Sequence, residues 1–161
     1  MTDCRQDEIT ERLLASYSEV GGINRVDCSN LPSKSKIGSF CEDLLRVLFP
    51  GFLDEEAIAQ EDLARLTAGH VNSITATLGK EVSRSLRFRN GGEPVPDEVV
   101  RGLCCDFLNR LPDIRRVLAT DVQAAYEGDP AARSNEEIIL SYPAIEAIAI
   151  YRAAHLLYGA D

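Results

Sequence analysis

The sequence predicts an all-α fold, an irregular bundle of about six to seven helices that includes one long central helix. Three observations predict it. Apolar residues recur at three- and four-residue steps along most of the chain, which is the period of a helix face. No stretch alternates apolar and polar residues over a strand's length, and no Asn-Gly or Asp-Gly turn joins two such stretches as a hairpin would. Helix starts and stops fall at regular intervals, as Ser, Asp, Gly and Pro punctuation.

Residues 7–19 carry Ile9, Leu13, Leu14 and Tyr17 at helical spacing, and Gly21-Gly22 ends that segment. Residues 24–32 are rich in Asn, Asp, Ser and Pro and read as a loop. Residues 1–32 are therefore expected to form an N-terminal helix and loop, ahead of a helical domain over 33–161. Ser33 is placed as N-cap of the next helix, in which Ile37, Phe40, Cys41, Leu44, Leu45 and Leu48 share a face, and Pro50-Gly51 stops it. Asp54 is expected to cap a long third helix, with Glu55 and Glu56 where the macrodipole favours anions. Its stripe runs from Ile58 through Leu66, Ile74 and Val82 to Leu86, about nine turns if Gly69 and Gly79 are tolerated.

Arg84, Arg87 and Arg89 cluster just before Asn90-Gly91-Gly92. They read as favourable charge at a helix C-terminus, with an anion contact as the sharper alternative. After a linker at 94–96, a fourth helix over 96–110 buries Val99, Val100, Leu103, Cys104, Phe107 and Leu108. Pro112 is expected to break the chain there and start another helix over 111–127, closed by Gly128. Ser134 and Glu137 have capping-box spacing, and Tyr142-Pro143 restarts the helix because a residue before proline is pushed out of the α region. From 144 to 157 the apolar residues run nearly all round, broken by Glu146, Arg152 and His155. Such a helix is buried deeply or faces a partner.

The composition bounds the function. A formal net charge of −9 argues against nucleic acid, whose phosphates need a cationic footprint, and against a basic membrane-surface helix. No apolar run reaches the length of a membrane span, and the charged start MTDCRQDEITE carries no signal-peptide pattern. The five cysteines lack metal-ligand spacing and cannot all pair, so reduced thiols in the cytoplasm are expected, with no metal site. Phosphate-binding glycine loops, H-E-x-x-H and G-x-S-x-G are absent from the sequence.

One corner carries candidate chemistry. Asp129 lies between a helix end and a helix start in Gly128-Asp129-Pro130, where Pro130 stiffens the turn. Its carboxylate either closes an Asx-type turn or reaches toward a cationic or hydroxylic ligand. Asp121, two turns upstream, is read as a solvated helix carboxylate or as a second group on the same side. Arg152 and His155 are three residues apart, hence neighbours on one face. They read as polar relief for an apolar helix, or as a base with an orienting cation. His70 is a flank residue of the long helix.

The run Asp121-Val-Gln-Ala-Ala-Tyr-Glu-Gly-Asp129-Pro-Ala-Ala-Arg-Ser134 resembles the N-terminal helical domain of bacterial serine O-acetyltransferases. So does Tyr142-Pro-Ala-Ile-Glu-Ala-Ile-Ala-Ile-Tyr-Arg-Ala-Ala-His155. In that family a D-x-Q-A segment leads to a D-P-A corner, and a helix ending in a Y-R-x-A-H-like motif then feeds a left-handed parallel β-helix. Leu31-Pro-Ser-Lys and Leu48-Phe-Pro-Gly-Phe52 look like the longer N-terminal variety of these enzymes.

The resemblance implies acetyl transfer from acetyl-CoA to the hydroxyl of L-serine, a committed step toward cysteine. It implies that Asp129 helps hold serine, because a carboxylate pairs with an ammonium group, with Pro130 and Asp121 as secondary residues of that site. In the family the catalytic histidine, its orienting aspartate and the acetyl-CoA groove belong to the β-helix. No catalytic, cofactor-binding or metal residue is therefore expected in these 161 residues, and acetyl-CoA is expected as the co-substrate of a longer parent enzyme. His155 matches the linking helix, so residues 143–158 are expected to lead toward a β-helix that these residues lack. The chain alone is expected to be inactive, and to bind cysteine, the family's inhibitor at the serine site, weakly at most. Self-association through the helical domain is implied, as is cysteine synthase as a partner of the parent's C-terminus. The alternative is a non-catalytic all-α oligomerisation or binding module, and self-association would most simply give a symmetric dimer.

Overall fold

The computed structural model describes residues 5–26, 28 and 31–158, and its regular structure is entirely helical. The helices are α1 (Gln6–Glu19), α2 (Lys34–Leu48), α3 (Leu63–Arg89), α4 (Asp97–Gly128), α5 (Asn135–Ser141) and α6 (Pro143–Tyr158). The chain divides into two compact units, residues 1–30 and 31–161. In the first, α1 buries none of its residues, and Ile9, Leu13, Leu14 and Tyr17 lie on its surface. Asn24 Nδ2 donates to the carbonyls of Tyr17 (2.6 Å) and Val20 (2.9 Å), satisfying acceptors that a helix end leaves free.

The second unit is a bundle of five helices, α2 to α6. Ser33 caps α2 as expected, its hydroxyl accepting from Lys36 N. Gly51, at φ +84°, turns the chain away after Pro50. Asp54 does not cap the third helix, which starts nine residues later at Leu63. Its carboxylate instead accepts from Gly51 N at 3.0 Å and faces Arg46 Nε at 4.0 Å. The turn behind α2 offers Asp54 a free donor three residues away, and that donor wins over a helix start. Gly69 and Gly79 are both accommodated within the 27 residues of α3.

Pro112 does not break the chain either. One 32-residue helix, α4, runs through it. Proline inside a helix costs about 3 kcal/mol through the lost donor and the ring clash. On α4, however, Val100, Cys104, Phe107, Leu111, Ile114, Leu118 and Val122 are buried at steps of three and four, without a break at Pro112. Burying a large apolar side chain is worth about 1.5–3 kcal/mol each, so a continuous stripe outweighs one proline. The described residues thus hold six helices; the long third helix expected from its stripe is α3, of 27 residues, and α4 is longer still at 32.

The main core lies among α2, α3, α4 and α6, around Leu44, Ile74, Leu118 and Ala149. A cavity of about 340 Å³ opens between these helices beside Phe40, Leu78 and Phe107. A smaller cluster of Val122, Ile138 and Ile145 sits under the corner where α4, α5 and α6 meet. On α6 only the stripe Ile145, Ala149 and Ala153 is buried, whereas Tyr151 is 70% and Tyr158 78% exposed. The helix is therefore half-embedded, with an apolar outer face. Among the described residues, no helix is long and apolar enough to cross a membrane.

Candidate functional site

The candidate corner forms where α4 ends. Asp129 takes the C-cap position with an extended backbone, and Pro130 begins the turn that leads to α5. Ala131 N donates to Asp129 Oδ1 at 2.8 Å, an Asx turn, and Ala132 N donates to the Asp129 carbonyl at 3.0 Å. Ser134 then caps α5, accepting from Glu137 N at 3.2 Å. The Glu137 carboxylate reaches back to Arg133 N at 2.9 Å, one residue beyond the usual capping-box partner.

The second oxygen of Asp129 is held from across the corner. Tyr142 Oη donates to Asp129 Oδ2 at 2.5 Å. Tyr142 adopts an extended conformation (φ −101°, ψ 103°), as its position before Pro143 demands, and this break between α5 and α6 faces its ring to the end of α4. Sequence reasoning used Tyr142 only as a helix break and missed this role. The signal was there in its pairing with Pro143, but a contact spanning 13 residues has no local pattern.

The electrostatics follow from these bonds. The Tyr142 hydroxyl, and next the Ala131 amide, hold the Asp129 carboxyl below the usual carboxylate value, while the hydrogen bond to Asp129 raises the Tyr142 phenol above its ordinary value. Asp129 is thus an ionised acceptor, fixed in direction and half-exposed. Each carboxylate oxygen can take more than one donor, so the pair leaves acceptor capacity facing out of the corner. Of the two readings of Asp129, the structure shows the first: the carboxylate closes its own turn. Pro130 is exposed and contributes stiffness alone, having no polar side-chain atom.

Asp121 is not a solvated carboxylate. Arg152 donates to both of its oxygens at 2.7 Å, from Nε and Nη2, a bidentate pair that ties α4 to α6. The hydrogen bond to Asp121 raises the Arg152 pKa further. Asp121 and Asp129 therefore serve separate partners. Arg152 does not orient His155, which lies between the rings of Tyr151 (6.2 Å) and Tyr158 (6.4 Å) on the outer face of α6.

Away from the corner, Arg87 Nε donates to Gly92 O at 2.8 Å and Arg84 to Glu81 at 2.7 Å, so Arg87 serves the C-terminus of α3 as the charge pattern suggested. Two ties between helices escaped sequence reasoning. Glu81, buried on α3, accepts from Ser33 N at 2.6 Å. Asp43 on α2 bridges His70 Nδ1 (3.1 Å) and the Ser73 hydroxyl (2.6 Å) on α3.

Comparison with known proteins places this geometry. The chain is 33% identical over 135 residues to the plasmid serine acetyltransferase of Synechococcus elongatus, a stretch covering 80% of this chain and 42% of that protein. It is 46% identical over 43 residues to the serine acetyltransferase of Bacillus subtilis, covering 27% of this chain and 20% of that one. Its fold matches the crystal structure of serine acetyltransferase isoform 3 from Entamoeba histolytica, solved in complex with cysteine, at a TM-score of 0.58 and 22% identity. That match takes in 95% of this chain and 50% of the Entamoeba one. The chain thus spans half or less of the length of these relatives. The family described as serine acetyltransferase, N-terminal, matches residues 51–149, more than half of the chain and all of the Asp129–Tyr142 corner, and the chain belongs to that family.

Proposed function

We propose that this chain is the N-terminal helical portion of a serine O-acetyltransferase, the activity that moves the acetyl group of acetyl-CoA onto the hydroxyl of L-serine and releases CoA. The family match over residues 51–149 carries this reading. Within it, Asp129 receives the ammonium group of serine, for which an ionised carboxylate with fixed direction is suited. Pro130 and Tyr142 hold that carboxylate in place, and the Asp121–Arg152 pair steadies the two helices that flank it. Acetyl-CoA and the general base that takes the hydroxyl proton are supplied by the rest of such an enzyme, so the chain alone does not turn over.

The exposed apolar face supports a second, compatible role in assembly. Leu140, Tyr151 and Tyr158 are each more than 60% exposed on neighbouring helices, and patches of this kind commonly mark contacts. Self-association of the helical domain through that face is the simplest form, with cysteine synthase a partner of the remainder of the enzyme. The proposed location is the cytoplasm, supported by the free thiols of Cys28, Cys41, Cys104 and Cys105.

The test is release of CoA thiol from acetyl-CoA and L-serine. A chimera in which this chain replaces the matching segment of the Synechococcus enzyme is expected to turn over, and the chain by itself is not. Turnover by the chain alone would contradict the division of labour. A folded chimera without activity would contradict the function itself.

A further inference from the structure

The C-terminal half of α3 and the N-terminal half of α4 flank an open cleft of about 570 Å³. Its rim carries three cations, Lys80 and Arg84 from α3 and Arg101 from α4, against a single carboxylate, Asp97. This is unusual within a chain of net charge −9. Elsewhere Arg46, Arg65, Arg116 and Arg152 each face a carboxylate of their own. Neither Lys80 nor Arg101 has a hydrogen bond or ion pair among the described residues. Arg84 uses Nη1 on Glu81 and keeps further donors for the cleft.

The floor is different in character. Val100 and Cys104 are buried and Leu108 half-buried, and Gly79 lies over the Cys104 sulfur with room for an ordinary van der Waals contact. A bare oxyanion would engage the rim and leave this apolar floor unused. An oxyanion attached to a flat or apolar organic group would use both, with the Ser83 hydroxyl as an added donor.

We propose that the α3–α4 cleft binds a small-molecule phosphate or sulfate ester, its oxyanion held by Lys80, Arg84 and Arg101 and its organic part laid against Val100, Cys104 and Leu108. The site is separate from the Asp129 corner and does not rest on acetyl transfer. Fork-shaped guanidinium donors and a lysine ammonium are the usual partners of such groups, and their hydrogen bonds to an anion are charge-assisted.

Titration of the isotope-labelled full chain, followed by amide NMR at constant ionic strength, tests it with adenosine monophosphate, inorganic phosphate, inorganic sulfate and adenosine. The nucleotide should give saturable shifts confined to residues 75–84 and 97–108 and bind several-fold more tightly than either free anion, with adenosine silent. Lys80→Gln combined with Arg101→Gln should weaken the nucleotide about tenfold or more while the rest of the spectrum stays in place. Shifts that do not saturate, or that spread over basic residues elsewhere, would overturn the site. Unchanged affinity in the double variant would do the same. Affinity for the nucleotide no greater than for free phosphate or sulfate would overturn the ester assignment.

Discussion

Tyr142 has two effects at the corner it shares with Asp129: it fixes the carboxylate's direction and keeps it ionised. Because the folded carboxyl titrates below the ordinary value of about 4, its bonds favour the folded state above that value. That contribution is lost as pH falls through the lower folded value. Acid unfolding should therefore be steeper for the natural chain than for Tyr142→Phe as pH falls below about 4, and identical slopes would contradict the pairing. Asp121→Ala should cost about 1 kcal/mol in denaturant unfolding, since it strands half-exposed Arg152 and loosens α4 from α6. The Asx turn at Asp129 was legible because Gly-Asp-Pro between two helix signals is a local pattern. Its partner Tyr142, and the Arg152 partner of Asp121, were not, because those bonds join residues 13 and 31 positions apart.

At the scale of elements, caps and stripes decide the outcome. Ser33 and Ser134 were readable as N-caps because the bond each makes lies three residues ahead. Replacing Ser134 by alanine should cost about 1 kcal/mol and fray α5, visible as faster amide exchange over Asn135–Ser141. Asp54 and Pro112 misled for the same reason: each is a strong local signal overruled by something nonlocal to it. Asp54 found a free amide behind α2, and Pro112 sits on the exposed side of a helix whose buried stripe continues past it. Pro112→Ala should accordingly stabilise the chain by about 1–3 kcal/mol in denaturant unfolding, with helix content unchanged or slightly raised. A loss of stability would contradict the view that the buried stripe carries the helix past Pro112 at a cost.

For the helical unit as a whole, four helices close one core, and ties such as Asp43 to His70 and Ser73, Glu81 to Ser33, and Arg115 to the carbonyls of Val47 and Leu48 set their register. The all-α class was legible from periodicity, whereas these long-range ties were not. Truncating Leu118, fully buried where α4 meets its neighbours, to alanine should cost about 2–5 kcal/mol, more than any surface change considered above. The apolar helix at the end of the chain was expected to be deeply buried or to face a partner. It is half-embedded, and its outer tyrosines support the second option. Sedimentation should show self-association that Tyr151→Ser with Tyr158→Ser abolishes, and a clean monomer at high concentration would contradict the assembly role.

We propose that the Asp129 corner belongs to the serine site of an acetyltransferase. It is tested most directly by steady-state kinetics of the Synechococcus chimera, with and without Asp129→Ala. The substitution should raise the KM for L-serine by about tenfold or more while the KM for acetyl-CoA stays within about twofold. A variant with unchanged serine KM and kcat would contradict it.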